Sequence, residues 1–413
     1  MIGLLAASAP EARGEYANGT RERNGNSQLS HGCQSTASHR QNGVVYTPSM
    51  LADFVAAKLT SLYLTDQLRR YAISTERLDI SNLRILDPAC GEGALLAGML
   101  DALANAGVRR VLPKVFCGVD IDRHAVRRAR EQIRTMCQKR FRRNGIPPMI
   151  EGNTLLPRPT LTTLAGWEAL KAKFDALTGF DIIIANPPWG AAIEAYRDKL
   201  STESFTLLRG QFDTSDLFLE LGLSLLKPGG FLGFIVPDSL FSYERSELRR
   251  LLVRNTEIRF LGRFGEKLFD GVNRACAVLI CTKQLPAKST RVRCVRLTPD
   301  YRKAILSGKK TFEHADRALG YEVLQSRFAR NAKIRFDLDL RPDENVTIAK
   351  LQQPTLLFRG GVPCTVGVGL SNPRAGQQGA TCRLRSPLPP PATSLCPHRG
   401  RRRPRTHASP EPK

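Results

Sequence analysis

The stretch DIIIANPPWG, residues 181–190, decides the fold. Ile182, Ile183, Ile184 and Ala185 form an apolar, largely β-branched run without alternation, the pattern of a strand buried on both faces. Pro187 and Pro188 have no N–H to give a ladder, so the strand must end before them. Strands of this kind belong to parallel sheets covered by helices, where ligands bind at the carboxyl ends of the strands. At that end stand an amide (Asn186), two rigid residues and the flat ring of Trp189.

The chain on either side repeats an alternation of strand and helix. RILDPAC reads as a short strand ending at Asp87, and GALLAGMLDALANAG as a helix closed by Gly107. KVFCGVDID is a second strand, followed by the basic helix RHAVRRAREQIRTMCQKRF. PMIEGNTLL gives a third strand and FDIIIAN the fourth. SDLFLELGLSLLKPGG reads as a helix stopped by Pro228-Gly229-Gly230, with FLGFIVP as the fifth strand. IRFLGRF and ACAVLICTK are close enough in the chain to pair. The order predicts an α/β fold with a doubly wound, mostly parallel sheet.

Four segments follow from composition. Residues 1–42, rich in Ser, Asn, Gly and Arg, read as disordered. Residues 43–284 form the main domain, beginning with a helix that Thr47 caps and Pro48 opens. Residues 285–340 are mixed and basic, a remnant or the start of a further region. Residues 341–413 form a Pro- and Arg-rich tail that reads as disordered and whose composition also fits a shifted reading frame.

The net charge of +24 favours a polyanion, nucleic acid first. The tail from Leu351 holds ten Lys and Arg against the single acid Glu411, which leaves +15 on the first 350 residues. The basic character therefore belongs to the body too. Ten cysteines without a Cys-x-x-Cys pair argue against a metal site and against a disulfide framework. Cys90, Cys117, Cys276 and Cys281 lie in apolar runs and read as buried thiols of a reducing compartment, the cytoplasm. No apolar run has the length of a membrane span.

LDPACGEGALL, residues 86–96, is a strand, a Gly-x-Gly turn and a helix. Gly91 and Gly93 let the backbone approach a ligand, and the helix start favours anionic or polar groups. The third Gly of the dinucleotide fingerprint and the Gly-Lys-Ser/Thr of a phosphate loop are both missing. Alone, this turn is as consistent with a structural role as with a cofactor. Asp120, ending the second strand, adds a carboxylate suited to the ribose hydroxyls of a nucleoside cofactor; Asp122 competes for that role or caps the next helix. Asn186 and the Pro187 carbonyl offer two fixed acceptors, which suit an –NH2 group, and Trp189 offers a stacking face for a base.

DPACGEG, GVDID and NPPW, in this order, resemble the motifs of S-adenosylmethionine-dependent adenine-N6 DNA methyltransferases of the gamma group and the type IIG restriction–modification enzymes. YTP at 46–48 resembles the family's most N-terminal motif, and EKLFDGVNRACAVLI a later one that carries an aromatic residue, here Phe269. The resemblance covers about residues 44–284. It implies a Rossmann-like methyltransferase fold, with Thr47, Pro48, Asp87, Ala89, Gly91, Gly93, Asp120, Ile121 and Asn153 around S-adenosylmethionine. Asn153 stands where the family often has an acid. It implies Asn186, Pro187, Pro188 and Trp189 at the transfer step, with a flipped adenine of DNA held by Trp189 and Phe269. The family reads its target with a large C-terminal domain, for which the 55 residues from 285 are too short; a separate specificity subunit is one way to supply it. Protein-glutamine or ribosomal-RNA methylation, and an inactive DNA-binding remnant, are the alternatives.

Overall fold

The computed structural model describes residues 47–71, 78, 80–156, 163–190, 200, 205–208, 212–269 and 274–338. Tyr46 and the two terminal segments set apart by composition lie outside the described residues.

Three strands and three helices build the first half. Helix α1 (Ser49–Tyr71) precedes β1 (Ile85–Asp87), α2 (Ala94–Asn105), β2 (Phe116–Asp120), α3 (Arg123–Phe141) and β3 (Met149–Glu151). The second half continues with α4 (Thr163–Lys173), β4 (Phe180–Ala185), α5 (Thr214–Leu225), β5 (Leu226–Pro237), α6 (Ser246–Asn255), β6 (Glu257–Gly265) and β7 (Cys276–Thr282). Strand β8 (Arg291–Arg296), helices α7 (Pro299–Leu306) and α8 (Phe312–Leu319), β9 (Tyr321–Leu324) and α9 (Gln325–Arg330) complete the described chain.

Among the described residues, nine strands form one sheet in the order β3-β2-β1-β4-β5-β7-β6-β8-β9. Strand β7 runs antiparallel to both of its neighbours, and β9 antiparallel to β8; the other neighbouring pairs are parallel. All six residues of β4 are buried, as its unbroken apolar run requires. Helices cover both faces. Leu51, Val55 and Leu59 of α1, Leu96 and Leu100 of α2 and Ile133 of α3 pack on one side. Trp167 of α4, Leu217 and Leu221 of α5, Leu252 of α6 and Phe328 of α9 pack on the other. The strand order reverses between β1 and β4, which opens a crevice at their carboxyl ends.

Two local readings are corrected. Helix α1 starts at Ser49, with the Pro48 carbonyl accepting from the N–H groups of Leu51 and Ala52; Thr47 does not cap it, because its hydroxyl is engaged elsewhere. Helix α5 ends at Leu225, before Pro228-Gly229-Gly230. Leu226 already pairs with Phe180 of β4, so the chain turns to strand early and the Pro-Gly-Gly lies in a register shift within β5. Partners far along the chain override the local stop signal there.

Residues 285–338 are joined to the main sheet by charge as well as by β8 and β9. Asp316 of α8 accepts from Lys58 of α1 at 2.5 Å and from Arg293 of β8 at 2.8 Å. Burial pushes the Asp316 carboxyl up, but the hydrogen bonds from Lys58 and Arg293 outweigh it and hold it below its ordinary value. The fully buried Arg249 of α6 donates to the carbonyls of Leu240, Ser242, Lys333 and Ile334, fixing the last described turn.

Asp316→Asn should cost roughly 1–2 kcal/mol of unfolding free energy at pH 7, since it leaves two cations facing each other. Because the folded carboxyl lies below its unfolded value, this contribution is present above about pH 4 and is lost as pH falls through the folded value. Denaturant melts at pH 7 and pH 3 should show the gap between variant and wild type closing in acid.

Candidate active site

The turn after β1 is shaped by two carboxylates. Asp87 ends β1, 1 % exposed, and accepts from the Ala89 N–H at 3.0 Å. Asp120 ends β2 and accepts from the Gly91 N–H at 2.7 Å and the Asp122 N–H at 2.9 Å. Gly91 has φ +49° with open space where a Cβ would stand, so the backbone itself faces the crevice. Gly93 has φ +90°, and a Cβ there would sit 3.0 Å from that of Ala129, so only glycine lets α2 start this close to α3. Asp122 is the cap of α3, accepting from the His124 N–H at 2.7 Å. Ile121, between the two aspartates, is an apolar side chain left half exposed. Beside it, the turn after β3 is tied in by Thr154, whose hydroxyl donates to the Pro88 carbonyl. The Asn153 side-chain carbonyl accepts from the N–H groups of Leu155 and Leu156.

The loop after β4 is held from four directions. The Asn186 NH2 donates to the Thr47 hydroxyl at 3.0 Å, fixing the plane of the amide. The Pro188 carbonyl accepts from the Thr214 hydroxyl, and the Trp189 carbonyl from Arg274. The Gly190 N–H donates to Asp213, which also caps α5. Gly190 has φ +61°, and a Cβ there would strike the Arg274 guanidinium at 2.8 Å. Trp189 is 2 % exposed and meets Phe269 edge to face, with ring centroids 5.2 Å apart. Phe269 is buried as well, so the two rings stand in mutual contact with no open slot between them. The indole Nε1 is buried without a hydrogen-bond partner among the described residues.

Sequence reasoning singled out Thr47 for the cofactor; the structure places it on Asn186. Asp213, Thr214 and Arg274 were missed. Asp213 had a signal, an acid just before a helical run, but its contact with Gly190 lies 23 residues away in the chain. Pro187 and Pro188 carry no ladder and end β4 as expected.

The thiols offer no nucleophile here. All six described free cysteines are buried, and burial pushes Cys117, Cys276 and Cys281 up to about 12. Among the described residues no three His, Cys, Asp or Glu side chains are grouped to hold a metal, and no helix is long and apolar enough to cross a membrane.

The sheet, with a glycine turn after β1 and an acid ending β2, belongs to an α/β fold with a mostly parallel order. Residues 114–269 match the family described as Eco57I restriction-modification methylase. The chain is 26% identical over 338 residues to the type II methyltransferase M.VspI of Vibrio sp. (strain 343), covering 80% of this chain and 65% of that one. It is 28% identical over 253 residues to M.BanIII of Aneurinibacillus aneurinilyticus, covering 60% of this chain and 39% of that one. The fold is also that of the type IIG restriction endonuclease BpuSI, at a TM-score of 0.52 and 18% identity, over 77% of this chain and 35% of that one. The chain thus spans between about two fifths and two thirds of these curated relatives.

Burial pushes the Asp87 carboxyl up to about 8, against the hydrogen bond from Ala89, and Asp120 adds to the rise. A raised carboxyl favours the folded state below the unfolded pKa of about 4, and that contribution is lost as pH rises to about 8. Asp87→Asn should therefore stabilise the ligand-free protein at pH 8 more than at pH 5. Thermal melts at the two pH values check this; an equal shift at both would remove the buried, protonated Asp87 from the account.

Proposed function

We propose that this chain transfers the methyl group of S-adenosylmethionine to the N6 amino group of adenine in DNA, within a restriction–modification system. The observation that carries the proposal is the Asn186-Pro187-Pro188-Trp189 loop, held at the carboxyl end of β4 beside the glycine turn of β1. The similarity to type II methyltransferases supports DNA as the acceptor.

The turn fits the cofactor: open space at Gly91, an apolar half-exposed Ile121 and two carboxylates at neighbouring strand ends. Asp87, Ala89, Gly91 and Gly93 would surround the methionine part. Asp87 favours its charged form beside the cofactor's cationic groups. Asp120 would accept from the ribose hydroxyls, and Ile121 and Asn153 would hold the purine. S-adenosylmethionine supplies an electrophilic methyl on a sulfonium.

An adenine amino group is a poor nucleophile because its lone pair is delocalised into the ring. The Asn186 carbonyl oxygen and the Pro187 carbonyl accept its two N–H groups, which favours a tetrahedral nitrogen and returns the lone pair to it. Thr47 orients Asn186 for this task. Trp189 stacks on the base, with Phe269 buttressing the indole edge-on. The base must leave the duplex to reach them. Positioning and fixed dipoles supply the rate gain, with no general base in the first step. Target recognition comes from a region or subunit beyond residues 43–284.

Methyl-labelled cofactor should place its label in DNA as N6-methyladenine. Asn186→Ala should lower transfer by about 100- to 1,000-fold and leave cofactor affinity within about twofold, as calorimetry reads it. Label entering RNA or protein instead, or an Asn186→Ala chain that transfers normally, would overturn the proposal.

A further inference from the structure

At the opposite edge of the sheet, two loops bring together a concentration of positive charge that the transfer site does not use. Residues 106–114 precede β2, and residues 138–146 close α3 before β3. Together they hold Arg109, Arg110, Lys114, Lys139, Arg140, Arg142 and Arg143 and no acid, and all seven are exposed. The loops meet in space: Gly145 lies against Pro113, where a Cβ would stand 3.3 Å from the ring. A cavity of about 380 Å³ between them is lined by Arg109, Lys139, Arg140 and Arg142. Arg140 also borders a second cavity that holds Asp53, Asp101 and Glu313, and it binds Asp101 at 2.8 Å.

The position argues against incidental charge. Cations at the end of a helix offset its dipole, which accounts for Lys139 and Arg140. It does not account for Arg109, Arg110 and Lys114 on the other loop. Arg142 stands at the C-cap of α3 with φ 52°, a conformation that favours glycine, so a cation occupies a site where backbone preference opposes it. A strand of five residues, β2, runs about 16 Å from this edge to the crevice. The patch therefore cannot touch the nucleotide whose base enters the Trp189 loop.

We propose that the amino edge of the sheet, centred on Arg109, Arg110, Arg142 and Arg143, binds the phosphate backbone of duplex DNA outside the stretch that meets the transfer site. The inference rests on DNA being the substrate. Phosphate is the chemistry that several exposed guanidinium groups, spread around a shallow concavity, recognise without reading bases. Such contacts release counterions, so their number is readable from salt dependence.

The test compares wild type with Arg109→Ala/Arg110→Ala/Arg142→Ala/Arg143→Ala on a 40-base-pair duplex, followed by fluorescence anisotropy across a salt series. The variant should bind at least about tenfold more weakly at low salt, and its log–log salt slope should fall by about 3 to 4. Calorimetric cofactor affinity should be unchanged, which keeps the fold and the transfer site out of the comparison. Lys114→Ala/Lys139→Ala, a second variant on the same patch, should reduce the slope by about 2. Unchanged affinity and slope in both variants, or a wild-type chain whose DNA binding ignores salt, would overturn the proposal. An acidic protein partner at this edge would also appear as unchanged DNA binding. Failure of methyl label to enter DNA, with the slope change intact, would strike the proposed reaction and leave this surface standing.

Discussion

Everything at the candidate site depends on how one central strand ends. Pro187 and Pro188 cannot extend the β4 ladder, so the chain must leave the sheet at its most buried point. A loop leaving there would be loose if it were not held. Thr214 and Arg274 take two successive carbonyls, Asp213 takes the Gly190 N–H, and Thr47 takes the Asn186 amide. These partners come from three separate parts of the chain. The loop's shape is thus a property of the whole fold, set by protein groups alone.

The second constraint is electrostatic. Two carboxyls, Asp87 and Asp120, end adjacent strands in a place where burial raises both. Backbone N–H groups of the glycine turn and of Asp122 bond to them and offset part of that cost. The turn is therefore organised by the same acids that would meet a cationic ligand. A ligand bound there would compete with the fold for one set of lone pairs.

The legible part of the fold is the part written locally. The run at 182–185, the glycine turn at 91–93, the acid after β2 and the limits of α3 all follow from neighbours in the chain. Contacts between distant residues were not legible. Nothing near Thr47 announces a partner 139 residues away, and the Thr-Pro pair read instead as a helix start. The Pro-Gly-Gly after α5 read as a helix stop, yet pairing of Leu226 with β4 ended the helix first. Helix α6 carried a usable signal in Leu248, Leu252 and Val253, whereas β8 and β9 are short strands whose apolar faces are recognisable only against the sheet they extend. For the transfer site, the residue types were readable and their mutual support was not.

That support can be measured without turnover. The chain has two tryptophans, and Trp167→Phe leaves Trp189 as the sole indole. In that background a pre-held loop predicts a blue-shifted emission that resists acrylamide, before cofactor or DNA is added. Asp213→Ala should move the emission to the red and raise quenching, because the Gly190 anchor is gone. An indole that is already red-shifted and freely quenched with Asp213 intact would contradict the account, since the loop would then take its shape from the ligands and not from the fold.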